Sequence, residues 1–112
     1  MTSNELQALR RLLSLSVAEA AEHIGGMEAR SWNRLESGIR GIPERIPQLM
    51  FELVDQRQTL LDKLTQEAKS GPGKQFLYFR SFEESNFSDV LQWRIYQSVI
   101  IELFGAGLCS IE

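Results

Sequence analysis

The sequence predicts a mainly α-helical protein that ends in a small α+β unit. Apolar residues recur at helical spacing through most of the chain, and glycine and proline interrupt the pattern at a few points. One short segment, residues 74–79 (KQFLYF), has the aromatic content of a strand. We therefore expect four helices over residues 1–70, the fourth of them long, and a strand-plus-helix unit over residues 74–112.

Composition limits the class of protein. A chain of 112 residues has room for one domain, or for a small domain with a compact extension. The formal net charge of -3 argues against indiscriminate coating of nucleic acid, so any nucleic-acid site must be local. The single cysteine, Cys109, excludes an internal disulfide and fits a reducing compartment. Residues 1–13 contain no signal-peptide run and no segment is long enough to span a membrane, so we expect a cytoplasmic protein.

The first two predicted helices are short and begin at hydroxyl residues. Thr2 or Ser3 is expected to cap the first helix, whose apolar positions are Leu6, Leu9 and Leu13. Ser16 is the expected N-cap of the second helix. The apolar positions of that helix follow the spacing i, i+3, i+4, i+7, and they are Val17, Ala20, Ala21 and Ile24. Two glycines, residues 25 and 26, then end it.

The third helix, within EARSWNRLESG (residues 28–38), has two chemically different sides. With Trp32 pointing inward, Leu35 lies about 60° away on the same side at about 100° per residue. Arginine, asparagine and serine side chains project from the opposite side, and they are Arg30, Asn33, Arg34 and Ser37. Such groups pair with guanine and adenine edges in a DNA major groove. Taken alone, these residues fit an ordinary solvated helix face equally well.

Two short helices joined by a glycine turn, with polar donors on the outside of the second, predict a helix-turn-helix. Residues 15–38, LSVAEAAEHIGGMEARSWNRLESG, resemble the helix-turn-helix of the phage-repressor class, Cro and its bacterial relatives, although the turn is one residue longer than usual there. Three further stretches, NELQALRRLL, ARSW with ESG, and WRIYQSVIIEL, resemble the YdiL-like transcriptional regulators and the related anti-CRISPR-associated repressors of phages. This resemblance covers nearly the whole chain. It implies a homodimeric repressor that binds an inverted repeat in the promoter of its own operon, and RNA is a further possible partner.

The resemblance also suggests which contact holds the third helix against the first. Glu36 points partly inward and needs a partner, and repressors of this class commonly place an arginine at the position of Arg10. We predict an ion pair between Arg10 and Glu36, with Arg11 as the competing partner.

The predicted DNA-binding residues follow from the third helix and the segments beside it. Arg30, Asn33 and Arg34 are expected to read bases. Contacts to phosphate are expected from Ser16, Ser31 and Arg40. Ala29, at the start of the helix, completes the set.

The carboxyl-terminal half departs from the usual repressor pattern. Prolines at positions 43 and 47 and a helical apolar period predict one long helix from about Pro47 to Lys69, ended by Gly71-Pro72-Gly73.

The strand over residues 74–79 is apolar on both faces and should be covered on both sides. After a loop, SNFSD, an aromatic helix follows. This unit fits a plain core or a homodimer interface, and we expect it to serve as both. The predicted interface residues are Phe76, Tyr78, Trp93, Tyr96, Ile100, Leu103 and Phe104.

An enzymatic role lacks support in the sequence. His23 is the only histidine, and Cys109 has no basic neighbour that would lower its pKa. No metal-ligand spacing or nucleotide-binding loop is present, so we expect a protein that is not an enzyme and uses no cofactor or metal.

The alternative to a DNA-binding repressor is an antitoxin-like or scaffold module that binds another protein through its aromatic tail, or an RNA-binding regulator.

Overall fold

A computed structural model describes residues 1–112 as a mainly helical chain with one two-stranded sheet. The helices are α1 (Ser3–Leu12), α2 (Val17–Ala20), α3 (Ala29–Glu36), α4 (Arg45–Lys69) and α5 (Val90–Gly105), and the strands are β1 (Gln75–Phe76) and β2 (Ser110–Ile111). A π-helical turn, Ala21–Gly25, continues α2 directly. The chain forms two compact units, Met1–Val54 and Asp55–Glu112, which divide within α4. None of the helices combines the length and apolar character that crossing a membrane requires.

Ser16 is confirmed as the N-cap of α2, and of the two candidates for α1, Thr2 and Ser3, the N-cap is Thr2. The Thr2 hydroxyl accepts from the Glu5 amide at 3.1 Å, and the Glu5 carboxylate accepts from the Thr2 amide at 2.8 Å. Ser16 and Glu19 form the same reciprocal pair at 3.1 and 2.9 Å. These capping boxes satisfy backbone N–H groups that the first turn of a helix leaves without partners, and so they define where α1 and α2 begin.

The one-residue excess seen in the sequence is taken up inside the second helix. The π-helical turn Ala21–Gly25 has a wider hydrogen-bonding period than an α-helix and accommodates an extra residue. Gly26 then turns the chain with φ 61°, and the Met27 amide donates to the Ala21 carbonyl at 2.9 Å. α3 therefore begins at Ala29.

The core of the first unit is formed by the inward sides of its four helices. Trp32 and Ile46 are completely buried, and they pack within an apolar set that also includes Leu6, Leu13, Leu15, Ala20, Ala21, Ile24, Leu35, Met50 and Leu53. The long helix predicted from about Pro47 to Lys69 is confirmed, and it begins two residues earlier, at Arg45.

The strand prediction for residues 74–79 was largely wrong. β1 comprises two residues and pairs in parallel with β2, in the register Gln75 to Ser110 and Phe76 to Ile111. It is also not covered on both sides, because Phe76 is buried while Gln75 and Leu77 are exposed. β2 was not predicted. A two-residue strand is too short to show an alternating pattern, and its pairing depends on where α5 ends.

The second unit is built around α5 and the second half of α4. Its core consists of Leu64, Ala68, Phe76, Val99, Ile100 and Leu103. A buried polar contact joins the two helices: the Arg57 guanidinium donates to Ser98 Oγ at 3.0 Å and to Glu102 Oε1 at 2.8 Å. These bonds offset part of the cost of removing a guanidinium from water.

Candidate functional site

The candidate site is the outer side of α3. Trp32 and Leu35 are buried beneath the helix, whereas Arg30, Asn33 and Arg34 are exposed on its other side. Arg30 lies 3.7 Å from the Glu28 carboxylate, but both side chains are about four-fifths exposed, so this contact is weak and easily exchanged. The side chains that the sequence assigns to base reading are therefore together on one accessible surface.

The inner side of α3 is fastened by an ion pair between α1 and α3. Arg10 Nε donates to Glu36 Oε2 at 2.6 Å and Arg10 Nη2 donates to Glu36 Oε1 at 3.0 Å, which is the bidentate geometry of a strong arginine–carboxylate pair. Trp32 Nε1 donates to the same carboxylate at 2.5 Å, and Arg10 Nη1 donates to the Leu15 carbonyl at 3.0 Å. The predicted pair of Arg10 with Glu36 is confirmed, and Arg11 is exposed.

Opposing effects act on the Glu36 carboxyl. Burial raises its pKa, and hydrogen bonds from Arg10 and then Trp32, together with the positive charge of Arg10, lower it. The net result is that the pKa of Glu36 lies below its ordinary value. The carboxylate is thus ionised at neutral pH and remains available to hold both α1 and the Trp32 ring.

Two residues hold the turn before α3: Gly25, whose role in ending the second helix was predicted, and Arg45, which sequence reasoning missed. Arg45, the first residue of α4, donates from Nη1 to the Ile24 carbonyl at 3.2 Å and from Nη2 to the Gly25 carbonyl at 2.5 Å. Gly25 has no room for a side chain: a Cβ there would lie 2.9 Å from Met27 Cγ and 3.1 Å from the Trp32 ring. The glycine pair indicated the turn in the sequence. Nothing in the sequence indicated that an arginine twenty residues later would bind the carbonyl groups of this turn.

The predicted phosphate-contacting residues flank this surface. Ser16 is exposed at the start of α2, and Arg40 is exposed in the loop after α3. Ser31 and Ala29 are half-buried in the first turn of α3. The Ser16 hydroxyl accepts a hydrogen bond as an N-cap, and its O–H remains able to donate.

The predicted interface residues of the second unit separate into two groups. Phe76, Trp93, Ile100 and Leu103 are buried within that unit. Tyr78 and Tyr96 are half-buried: Tyr78 accepts from Gln97 Nε2 at 3.1 Å, and Tyr96 donates to the Leu77 carbonyl at 2.6 Å. Phe104 is 53% exposed. Of the seven, Phe104 is therefore the side chain that a second protein could cover most directly, and a dimer role for the set stays a prediction.

Two further exposed apolar residues close to Phe104 in the sequence were not predicted. Ile101 lies one helical turn before it on α5, and Leu108 follows the end of the helix. We call Ile101, Phe104 and Leu108 the α5 patch. Their signal was present in the sequence, but helical periodicity does not distinguish a buried apolar residue from an exposed one on a helix that is apolar around most of its circumference.

The single histidine and the single cysteine belong to different units of the chain. His23 is partly exposed beside Glu22, at 3.7 Å, in the first unit. Cys109 is in the second unit, where burial raises the pKa of its thiol and so disfavours the reactive thiolate.

Comparison with known proteins places the chain in a family. Residues 1–111 match the family described as Aca2/YdiL-like, and the chain belongs to this family. It is similar to the Aca2 repressor of Pectobacterium phage ZF40, with 37% identity over 96% of each chain. It is also similar to the Escherichia coli K12 protein titled uncharacterized protein YdiL, with 30% identity over 96% of this chain and 97% of that protein. The resemblance found in the sequence is thereby confirmed.

Proposed function

We propose that this protein is a sequence-specific DNA-binding regulator in which α2, the π-helical turn and α3 act as a helix-turn-helix. In this proposal it represses its own operon as a homodimer on an inverted repeat. The repressor name of the phage relative supports a regulatory role. The observation that carries the proposal is the outer side of α3, where the hydrogen-bond donors of Arg30, Asn33 and Arg34 are exposed to solvent. The inner side of the same helix packs on the core and is held by an ion pair.

The side chains divide by role. Arg30 and Arg34 present the planar donor pairs that match guanine O6 and N7, and Asn33 matches adenine N6 and N7. Ser16, Ser31 and Arg40 contact phosphates on either side of the groove and set the position of α3 without reading sequence. Ala29, being small, lets the start of the helix approach the bases closely.

Rigidity of α3 supports this reading. The pair of Arg10 with Glu36 and the bond from Trp32 hold the helix from below, and Arg45 holds the turn before it. A recognition helix that is ordered before binding loses less conformational entropy when it enters the groove.

Dimerisation is assigned to the second unit. The α5 patch gathers three exposed apolar side chains at one end of α5, and isologous pairing of such a surface is the commonest way for one chain to make a two-fold dimer. Two recognition helices spaced about 34 Å apart would then read the two halves of an inverted repeat.

Selection of binding sites from random duplex DNA tests the function. The expected result is a short motif repeated in inverted orientation. Recovery of no motif would contradict sequence-specific DNA binding, and a parallel selection from random RNA tests the RNA-binding alternative. Isolation of the protein as a complex with a different protein, together with the absence of any selected duplex, would support the interaction module instead.

Replacement of Arg30 by alanine tests base reading. Loss of a bidentate guanine contact should cost about 1–3 kcal/mol per half-site and relax the preference at one base position in each half. The measurement is binding affinity on the selected duplex and on single-base variants of it. We expect Arg34→Ala to behave in the same way.

The matched control is Lys63→Ala, which removes an exposed positive charge from α4 in the second unit. It should leave the base preference unchanged. If Arg30→Ala keeps its affinity within twofold and the same base preference, Arg30 does not read bases.

A further inference from the structure

Ile39 is the most exposed of the large apolar side chains in the protein. It is 78% exposed, whereas the next, Leu77, is 55% exposed. It is the third residue after the end of α3, in the segment that leads to α4. An exposed isoleucine lacks the favourable free energy of apolar burial. It gains that free energy when another molecule covers it.

The backbone holds Ile39 in a defined position. Gly38 turns the chain with φ 79°, which a residue with a side chain rarely adopts, and its amide donates to the Leu35 carbonyl at 3.3 Å. The Arg40 amide then donates to the Arg34 carbonyl at 3.2 Å. These bonds tie the turn to the last turn of α3, so Ile39 is not at the tip of a loose loop.

An arginine that the proposed function assigns to phosphate contact follows Ile39 directly in the chain. This residue is Arg40, whose guanidinium group is exposed and makes no hydrogen bond or ion pair within the chain. Because consecutive Cα atoms are about 3.8 Å apart, a phosphate bound by Arg40 brings the sugar-phosphate backbone close to Ile39. In DNA, the group between two successive phosphates is a deoxyribose, which presents an apolar C–H surface.

We propose that Ile39 packs against a deoxyribose of the DNA backbone and thereby fixes the depth of α3 in the groove. This inference rests on the proposed DNA binding. Because the first turns of a recognition helix face the bases, the segment after its last turn lies towards the backbone. Ile39 is accordingly a positioning residue: it contributes affinity on every sequence and selects none.

The test compares Ile39→Ala with Arg40→Ala in the full-length protein. Affinity is measured by fluorescence anisotropy over a series of salt concentrations, on the selected duplex and on an unrelated duplex. Ile39→Ala should weaken binding to both by about tenfold, because part of the three carbons removed loses apolar contact. The slope of log affinity against log salt should not change, since no counterion is released. Arg40→Ala removes one phosphate contact from each protomer and should reduce the magnitude of that slope by about 1.8 on the selected duplex.

Phe51→Ala is the matched control. Phe51 is also exposed and apolar, but it lies in a groove between α1 and α4 with Met1, Leu9 and Pro47. This variant should bind both duplexes like the wild type. Ile39→Ala should keep the wild-type melting temperature, because the side chain packs on little within its own chain.

Two results would overturn the inference while DNA binding stands. One is unchanged affinity of Ile39→Ala on both duplexes. The other is a loss confined to the selected duplex that disappears when one thymine is replaced by deoxyuridine, which would show that Ile39 reads a methyl group. If the wild-type protein selects no duplex, DNA binding itself is wrong and the inference falls with it.

Discussion

At the scale of single residues, Glu36 determines how firmly α3 is held. Its carboxylate accepts from Arg10 and from Trp32, and it is the only acidic group beneath the helix in these contacts. Removal of its charge would leave the Arg10 guanidinium, 11% exposed, without a counter-charge. Such a loss is costly because a buried charge without a partner is poorly solvated.

Glu36→Gln is expected to lower the free energy of unfolding by about 3 kcal/mol at pH 7, the low end for breaking a buried ion pair. The effect should depend on pH in a defined direction. Because the folded-state pKa of Glu36 is lowered, its contribution is fully present above the unfolded value of about 4.3. It is lost as the pH falls from there through the folded pKa. Urea unfolding of both proteins between pH 7 and pH 3 measures the difference.

Glu44→Gln provides the control, since Glu44 is an exposed glutamate of the same unit without a hydrogen bond or ion pair. Its free energy of unfolding should follow that of the wild type. A difference between wild type and Glu36→Gln that stays constant down to pH 3 would contradict the role given to the ionised carboxylate.

At the scale of secondary-structure elements, the connection before α3 is the least ordinary part of the fold. A π-helical turn takes up one extra residue, Gly26 reverses the chain, and Arg45 binds the carbonyl groups at the end of the turn. A cation at the C-terminal end of a helix satisfies carbonyl groups without intrahelical partners and opposes the helix dipole. The position of α3 therefore depends on the first residue of α4.

Arg45→Met should lower the free energy of unfolding by about 1.5–3 kcal/mol, the range for hydrogen bonds made by a charged group. Methionine keeps most of the apolar length of the side chain and removes the donors. Thermal unfolding followed by circular dichroism measures the change. Arg11→Met, at an exposed arginine on α1, is the control and should unfold like the wild type. Equal melting temperatures for the two variants would show that the Arg45 contacts do not hold the turn.

At the scale of the whole molecule, charge and apolar surface are distributed unequally. Residues 1–46 carry six basic and six acidic side chains, whereas the remainder carries six basic and nine acidic ones and so holds the entire net charge of -3. Any positive potential must therefore come from local groups of arginines, such as Arg30, Arg34 and Arg40 in and after α3. Under the proposed function, which gives each protomer about two or three phosphate contacts, a single copy would bind DNA weakly.

Phe104→Glu tests whether the α5 patch forms the dimer interface. The wild type should be a dimer in solution, with a log-log salt slope of about -4 to -6 on the selected duplex, because each neutralised phosphate contributes about -0.9. The variant should be monomeric, with about half that slope and binding to half-sites. Analytical ultracentrifugation and the salt series measure the two effects.

Gln66→Glu adds the same charge at an exposed position of α4 in the same unit and should remain dimeric. Deletion of residues 74–112 is a harsher test, since it also exposes Leu64 and Ala68. A wild-type protein that is monomeric both in solution and on DNA would contradict the assignment of dimerisation to this unit.

The sequence by itself determined the features that depend on neighbouring residues. The cap Ser16, the inward direction of Trp32 and the length of α4 all follow from local spacing, because caps and helical periodicity act over three or four residues. For α1 the sequence narrowed the cap to Thr2 or Ser3, and the structure has Thr2. The partner of Glu36 was also predictable, since an inward carboxylate requires a cation and the resemblance indicated which one.

Only the tertiary structure decided the features that join distant parts of the chain. Arg45 binds carbonyl groups twenty residues earlier, β1 pairs with a strand thirty-five residues later, and Arg57 reaches Ser98 on α5. The same holds for burial in the second unit, where Ile100 is covered and Phe104 is not, although both are apolar residues of one helix. Which of two similar side chains is covered depends on what packs against the helix, and that is a property of the folded chain, which local spacing does not encode.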